Sequence, residues 1–293
     1  MESKGKMLRK IFEEQEVVIA PGAYDAYSAV LIEQAGFPVV YLSGAGVSHC
    51  IAGKPDIGFV TQTEMVTAVN NISSAIRVPL VADGDNGYGG PLQVMRTVEG
   101  YIKGGSAAIQ IEDQVTPKRC GFFEGKELVS KLEAVAKIKA AAYARNRLDP
   151  DFVIIARTDA IAVNGIEDAL DRANAFTQAG ADVIYVEAPP SKEIMQRIGK
   201  EVNCQWLMTI HIEGISPLLS RDELKALGFK FIIHPACLMS AVSKTMQTLL
   251  KKFRQEDSIK GCLDMIVGSD KSADILKMNE IRVLEKTFSE LNP

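Results

Sequence analysis

The stretch FVIIARTDA, residues 152–160, is a nearly continuous apolar run that ends in polar residues. A strand that is buried on both faces has this composition, whereas a strand with one solvent-exposed face alternates. Runs of the same kind recur at residues 17–23, 39–45, 79–85, 107–113, 181–188, 206–212 and 229–235. The sequence therefore predicts eight buried strands.

Helix-like segments lie between these strands, at residues 24–36, 63–76, 92–103, 128–145, 165–179 and 221–227. Turns containing glycine close several of them just before the next strand begins, as glycine does at helix C-termini. Eight strands with helical crossovers favour an α/β fold, a (β/α)8 TIM barrel, over residues 1–293 as a single domain. Residues 238–293 are predicted to form a C-terminal helical extension. An open, doubly wound sheet is the alternative fold.

Composition excludes several classes of protein. The net charge of −4 argues against a nucleic-acid-binding surface. No apolar run approaches the roughly 18 residues that a membrane span needs, and the charged N-terminus lacks the apolar centre of a signal peptide. Five cysteines are scattered without pairing motifs, which predicts a reducing, cytoplasmic location. We expect a small molecule as the partner, with no nucleic acid and no membrane.

Polar residues cluster where the predicted strands end. They are Ser43, Asp83, Asp85, Glu112, Asp113, Arg157, Asp159, Glu187, Thr209, His211 and His234. In a barrel these ends form one mouth, which is where active sites lie. Polar residues also simply begin loops, but several acids and an arginine in one ring are costly to bury unless they are paired or bind a cation.

Three of these acids offer hard oxygen ligands from neighbouring strands, namely Asp83, Asp85 and Glu112. Such ligands suit Mg²⁺, with Mn²⁺ as the alternative, because these cations keep several waters and take few protein carboxylates. The glycine-rich sequence DGDNGYGG, residues 83–90, would allow close backbone approach to a ligand, although such loops are often plain turns.

Arg157 and Cys120 are candidate catalytic residues. The guanidinium fork of Arg157 matches a substrate carboxylate, and an ion pair with Glu187 or Asp159 is the alternative. Cys120 follows two cations in the sequence KRCG, which would lower its thiol pKa, although a lone cysteine is more often a small buried residue. His211 and His234, at strand ends, are weaker candidates.

Five motifs occur in order along these strands: YLSGAG, ADGDNGYGG, IEDQVTPKRCG, ARTDA and EAPP. Together they closely resemble the isocitrate lyase/phosphoenolpyruvate mutase superfamily over roughly residues 10–260. The sequence KRCG resembles its carbon–carbon lyase branch, which includes methylisocitrate lyase and dimethylmalate lyase. The phosphonate enzymes of the superfamily carry a different loop, without this cysteine.

The resemblance implies a role for each matching position. Asp85 would bind Mg²⁺, with Asp83 and Glu112 holding its waters. Lys118 and Cys120 would lie on a mobile loop over the substrate, with Cys120 as the acid that protonates a nascent carbanion. The other implied substrate-binding positions are Ser43, Gly44, Ala45, Asp56, Arg119, Gly121, Arg157, Glu187, Thr209, His211 and His234. The family also implies a homotetramer in which the last helix is exchanged between subunits.

Two positions depart from the family pattern. Phe122 stands where the lyases carry a histidine after Cys-Gly, which removes a hydrogen-bonding neighbour of the thiol. Thr209 stands where an asparagine is usual, and Glu213 matches the family's acid only after a shift of one residue. Both changes fall at the substrate end of the expected pocket.

The sequence therefore predicts a Mg²⁺-dependent lyase that splits a 2-hydroxy di- or tricarboxylate of the methylisocitrate or substituted malate type. Decarboxylation or hydrolysis of oxaloacetate, or phosphonate chemistry, is the alternative that keeps the same metal and 2-keto-acid site. A barrel that binds a metabolite without catalysis is a third alternative, against which the full set of three acids argues.

Overall fold

The eight predicted strands form a closed parallel barrel in sequence order, from β1 to β8 and back to β1. The computed structural model describes residues 2–121, 123–210 and 214–289. The strands are β1 (Val18–Ala23), β2 (Val40–Leu42), β3 (Leu80–Asp83), β4 (Ala108–Glu112), β5 (Val153–Thr158), β6 (Val183–Val186), β7 (Gln205–Thr209) and β8 (Phe231–His234). The prediction of a (β/α)8 barrel is confirmed, and the open sheet is excluded.

Helices separate the strands along the chain. They are α1 (Lys4–Glu14), α2 (Ala26–Gln34), α3 (Gly44–Val47), α4 (Gln62–Ala75), α5 (Pro91–Lys103), α6 (Lys131–Leu148), α7 (Ala160–Asn164), α8 (Ile166–Ala179), α9 (Lys192–Glu201) and α10 (Arg221–Ala226). Side chains cap several of them; Thr61 and Ser220 each form a reciprocal capping box with the glutamate three residues on. A single π-helical turn, Ser48–Ala52, follows α3.

The N-terminal helix α1 packs beneath the barrel. Leu8 and Phe12 are buried among the inward-facing side chains of the strands. Phe12 meets Phe231, at the first position of β8, with ring centroids 5.4 Å apart in an edge-on arrangement. Burial of each such side chain stabilises the fold by about 1.5–3 kcal/mol. The helix thus covers the amino-terminal end of the barrel and leaves the carboxyl end for the site.

The chain divides into two compact units, residues 1–238 and 239–293. The second unit contains most of α11 (Cys237–Glu256), a 3₁₀ segment (Ile259–Met265), α12 (Ser269–Ile275) and α13 (Met278–Ser289). In its described part only Cys262 is buried. Many large apolar side chains of this unit are exposed, including Leu250, Leu263, Val283 and Phe288.

No helix within residues 2–121, 123–210 and 214–289 is both long enough and apolar enough to cross a membrane. None of the five cysteines, all of which lie in the described ranges, is part of a disulfide, as their scattered spacing predicted.

Candidate active site

A pocket of about 490 Å³ opens at the carboxyl ends of the strands. Its lining combines strand-end side chains with a loop that follows β4, and includes Tyr41, Ser43, Ala45, Asp56, Asp83, Gln110, Glu112, Lys118, Arg119, Cys120, Gly121, Arg157, Tyr185, Glu187 and Thr209. Most of the predicted site residues therefore meet in one place. Residues far apart in the chain converge because parallel strands bring their carboxyl ends to one mouth.

The end of β3 holds two carboxylates in a constrained turn. The backbone N–H of Asp85 donates to Oδ1 of Asp83 over 3.1 Å, and the Tyr101 hydroxyl donates to the Asp83 carbonyl over 2.6 Å. Asp85 has φ of 46°, in the left-handed region that non-glycine residues seldom adopt. A backbone held in this way at a strand end is typical of a functional site.

Burial raises the pKa of two acids in this group. Burial first, and next the repulsion of the Asp85 carboxylate, raise the pKa of Asp83 to about 6. Burial also raises the pKa of Glu112 well above its ordinary range, although the cations of Arg157 and Lys118 oppose the shift. The neighbouring cations therefore do not fully balance the negative charge in this part of the pocket.

Lys118 reaches from the loop into this acidic group. Its ammonium lies 2.5 Å from Oδ1 of Asp56 and 2.7 Å from Oδ1 of Asp85, and its side chain is 5% exposed. Burial alone would lower the pKa of Lys118, but the carboxylates of Asp85, Glu112 and Asp56 outweigh burial and raise the pKa well above its ordinary value. Lys118 therefore remains a fixed positive charge beside the substrate space.

Backbone hydrogen bonds hold the loop against the barrel. The side-chain amide of Gln114 accepts from the Arg119 N–H and donates to the Arg119 carbonyl, both over 2.8 Å. The Cys120 N–H donates to the Asp56 carbonyl over 3.0 Å. Gly121 packs so tightly that a Cβ there would lie 2.5 Å from Oε1 of Glu187. The structure thus shows the loop docked, with Cys120 lining the pocket.

Arg157 lies at the end of β5 among three carboxylates. Its Nε and Nη2 each donate to Asp159 over 2.9 Å, and it lies 3.4 Å from both Glu112 and Glu187. Burial would lower the pKa of Arg157, but Asp159 and Glu187 raise it above its ordinary value. Arg157 thus forms an ion pair with both Glu187 and Asp159, which was the alternative interpretation of this residue. Its side chain also lines the pocket.

Ser43 and its neighbours form another wall of the pocket. The buried Ser43 hydroxyl accepts from the Gly46 N–H over 3.2 Å, which starts α3 directly after β2. A Cβ at Gly44 would lie 2.7 Å from Oδ2 of Asp83, so only glycine allows this approach. Ala45 completes the wall.

One predicted position does not line this pocket. Ile233 and Pro235 line it, and His234 between them does not, because successive residues of a strand point to opposite sides. Substrate binding by His234 stays a prediction. The expectations for Phe122, His211 and Glu213 lie outside the described residues.

Three pocket residues with polar side chains escaped the sequence prediction. They are Tyr41, Gln110 and Tyr185, and each precedes a predicted site residue by two positions. The two-residue period of a strand places both members of each pair on one face, and this signal could have found them. The Tyr185 hydroxyl donates to Glu187 and its ring lies 5.2 Å from Cζ of Arg157.

The charge in this site suits a divalent cation. Six carboxylates, from Asp56, Asp83, Asp85, Glu112, Asp159 and Glu187, surround the cationic side chains of Lys118, Lys126 and Arg157. Oε1 of Glu112 is buried and has no hydrogen-bond partner among the residues that the structure describes. In the described part of the chain no three His, Cys, Asp or Glu residues form a direct ligand cluster. The excess of carboxylates fits a divalent cation, which prefers oxygen ligands and keeps several of its waters.

Comparison with known proteins agrees with this geometry. The family model of phosphoenolpyruvate phosphomutase matches residues 8–254. The chain belongs to this family. It is 42% identical to 2,3-dimethylmalate lyase of Eubacterium barkeri, over 99% of both chains. It is 37% identical to 2-methylisocitrate lyase of Aeropyrum pernix, over 94% of this chain and 88% of the relative.

Solved structures of the family have the same fold. A crystal structure of 2,3-dimethylmalate lyase superposes with a TM-score of 0.93 at 33% identity, covering 98% of this chain and 96% of the other. A phosphonopyruvate hydrolase solved with oxalate and Mg²⁺ superposes with a TM-score of 0.88 at 26% identity, covering 97% and 99%. With relatives named as lyases at this identity, the chain is a carbon–carbon lyase of the isocitrate lyase/phosphoenolpyruvate mutase superfamily.

Proposed function

We propose that this protein cleaves a carbon–carbon bond of a 2-hydroxy di- or tricarboxylate, of the methylisocitrate or substituted malate type, in a Mg²⁺-dependent reaction with Cys120 as the proton donor. One observation carries the proposal. The loop that bears Cys120 is docked over a pocket that is lined both by carboxylates suited to a cation and by Arg157, whose side chain is 11% exposed.

Asp85 would hold the cation directly, and Asp83 and Glu112 would hold its waters. A bound Mg²⁺, or Mn²⁺, would stabilise the negative charge that develops on the enolate. Support comes from the unpartnered Oε1 of Glu112, from the excess of carboxylates and from the related hydrolase solved with Mg²⁺.

The protein's own groups would bind and orient the substrate. Arg157 would contact the oxygens of the 2-hydroxy acid, since its fork is fixed by Asp159, and the wall at Ser43 and Ala45 would hold the carboxylate. Lys118 would add a fixed positive charge on the loop side. The docked loop would exclude water from the carbanion.

In the cleavage step the 2-hydroxyl group would give its proton to a carboxylate of the pocket as its C–O bond becomes the carbonyl of a 2-keto acid. The electron pair of the broken carbon–carbon bond would stay on the other fragment as an enolate. The thiol of Cys120 would then give its proton to the carbon of that enolate. With a methylisocitrate-type substrate the products would be pyruvate and succinate. The missing histidine at position 122 makes this proton transfer the step most altered relative to the family pattern.

A partly apolar wall beside the main pocket supports a substrate with alkyl groups. It belongs to a narrow cleft that is open to solvent and shares Tyr185, Glu187 and Thr209 with the main pocket. Apolar side chains form much of its remaining described wall, including Met208, Ile210, Ile215 and Leu218. Thr209, in place of the usual asparagine, presents a methyl group and a hydroxyl there. A substituted malate fits such a wall better than an unsubstituted one.

The test is turnover of a substrate panel by the Mg²⁺-loaded enzyme, with formation of the 2-keto acid followed. The panel contains methylisocitrate, dimethylmalate, oxaloacetate and phosphonopyruvate. We expect cleavage of a carbon–carbon substrate that Cys120→Ser abolishes. Turnover of oxaloacetate that is indifferent to Cys120→Ser would favour the hydrolytic or decarboxylating alternative. Oxalate binding with no turnover at all would favour a metabolite-binding barrel.

We also propose that the protein is a homotetramer with helix exchange through residues 238–293. The exposed apolar side chains of this segment, such as Val283 and Phe288, are of the kind that a subunit interface covers. Light scattering coupled to size exclusion tests the mass, and a monomer at micromolar concentration would contradict the proposal.

A further inference from the structure

Lys126 is a buried cation that lies outside the predicted catalytic set. It stands at the C-terminal base of the loop and is 9% exposed. Its ammonium donates to the Gly121 carbonyl over 2.6 Å and lies 3.3 Å from Oδ1 of Asp159. A buried ammonium is costly without such partners, so these two contacts fix its position.

Asp159 connects this lysine to the substrate-binding arginine. The carboxylate is fully buried and accepts two hydrogen bonds from Arg157, each over 2.9 Å. The Asp159 N–H donates to Oδ1 of Asp113 over 3.0 Å, which holds the acid in place from behind. One continuous chain of contacts thus runs from the Gly121 carbonyl through Lys126 and Asp159 to the guanidinium.

We propose that Lys126 is a positioning residue that couples docking of the loop to the orientation of Arg157; this inference rests on the proposed role of Arg157 in holding the substrate. While the loop is docked, the ammonium of Lys126 donates a hydrogen bond to the Gly121 carbonyl, and Asp159 keeps both of its hydrogen bonds from Arg157. Withdrawal of Gly121 leaves the ammonium with Asp159 as its remaining partner among the contacts described. Lys126 then competes with Arg157 for the same carboxylate.

The coupling therefore acts in both directions, from the loop to Arg157 and from Arg157 to the loop. A docked loop favours the arginine orientation that binds a carboxylate, and a bound carboxylate, by engaging Arg157, favours the docked loop. Such reciprocity is a thermodynamic requirement for two coupled equilibria. A purely structural role for Lys126, as a counter-charge for Asp159, would give neither effect.

Three variants separate these roles. Lys126→Met keeps the length and apolar stem but removes the ammonium, and Lys126→Arg restores a positive charge and donors. Lys131→Met is the matched control, because Lys131 makes an exposed ion pair with Asp171 that does not involve the loop. All three are measured as full-length protein without substrate, so this comparison does not depend on turnover.

The first measurement is backbone hydrogen exchange in peptides covering residues 114–128, followed by mass spectrometry. The relevant amides are those of Arg119 and Cys120, which the docked loop protects. We expect roughly tenfold faster exchange in Lys126→Met, the effect of losing one charge-assisted hydrogen bond, with partial recovery in Lys126→Arg. Lys131→Met should exchange as the wild type does. Exchange within twofold of wild type in Lys126→Met would overturn the proposal.

The second measurement is the same loop exchange with and without saturating oxalate in the presence of Mg²⁺, with saturation checked by calorimetry. Oxalate engages Arg157 and should protect the loop peptides of the wild type, whereas in Lys126→Met the connection to Gly121 is broken, so we expect this protection to be at most roughly half as large. Faster loop exchange in Lys126→Met with undiminished protection by oxalate would show a structural role and overturn the coupling. If no carbon–carbon substrate is cleaved, the proposed function fails, while these two measurements still decide the role of Lys126.

Discussion

The ammonium of Lys118 lies 2.7 Å from Oδ1 of Asp85, the carboxylate proposed to hold the metal. When the loop is docked, Asp85 therefore contacts Lys118 of the loop and also belongs to the proposed cation site. Because Asp56 is a second partner at 2.5 Å, the lysine stays near the substrate space instead of turning to solvent. Docking of the loop thus adds one positive charge to the site at the moment when water is excluded.

Lys118→Met should reduce turnover while it strengthens cation binding. Removal of the ammonium takes away a stabilising charge from the transition state, which we expect to lower kcat by about 10²-fold. The same change removes electrostatic competition at Asp85, so the Kd for Mg²⁺ should fall. Steady-state kinetics and calorimetry with Mg²⁺ measure the two effects. Weaker Mg²⁺ binding in Lys118→Met would contradict this account.

Asp85→Asn should abolish cation binding and keep the fold. Asparagine tolerates the left-handed conformation that position 85 adopts, so the turn after β3 should survive. The amide carries no charge, and Mg²⁺ should therefore no longer raise the melting temperature. Thermal denaturation with and without Mg²⁺ checks this expectation. A shift equal to that of the wild type would mean that Asp85 is not the direct ligand.

Stabilisation by Mg²⁺ should depend on pH through Asp83. Its pKa of about 6 exceeds the unfolded value near 3.9, so its contribution to stability is complete at low pH and is lost as pH rises through about 6. A cation offsets this loss only when the acid is ionised. At one fixed Mg²⁺ concentration we therefore expect a smaller increase of the melting temperature at pH 5 than at pH 7.5, where an increase of roughly 5 °C is expected. Asp83→Asn should reduce the difference between the Mg²⁺-dependent increases in melting temperature at the two pH values.

The apolar patterns of individual strands and helices predicted most of the fold. All eight strands lie within the predicted runs or within one residue of them, because a strand buried on both faces leaves a long apolar signature. The helix α9 was not predicted. It buries only Met195 and Ile198 along its ten residues, so its apolar pattern is sparse.

The site was predictable where it lies on strand ends and less so on loops. Asp83, Glu112 and Arg157 follow directly from the barrel, since the topology fixes where their strands end. Lys126 was missed because its partners, Gly121 and Asp159, are brought to it by tertiary folding and leave no periodic signal. The neighbours of His234, Ile233 and Pro235, line the pocket and were not predicted, because the face of their strand was not considered.

Gly121→Ala should prevent docking of the loop without harm to the barrel. A Cβ at this position would lie 2.5 Å from Oε1 of Glu187 and 3.0 Å from Nη2 of Arg157. The Glu187 carboxylate is held through its Oε2 by the Tyr185 hydroxyl, and Nη2 of Arg157 is held by Asp159. The loop must then move outward, which removes Cys120 and Lys118 from the pocket, so we expect kcat to fall by at least about 10²-fold. Gly268→Ala is the matched control, because a Cβ there meets nothing within 4 Å. Kinetics and hydrogen exchange of residues 114–128 are measured for both variants. Activity of Gly121→Ala within a few-fold of the control would show that turnover does not require the docked loop, since the added methyl group leaves no room for the observed position.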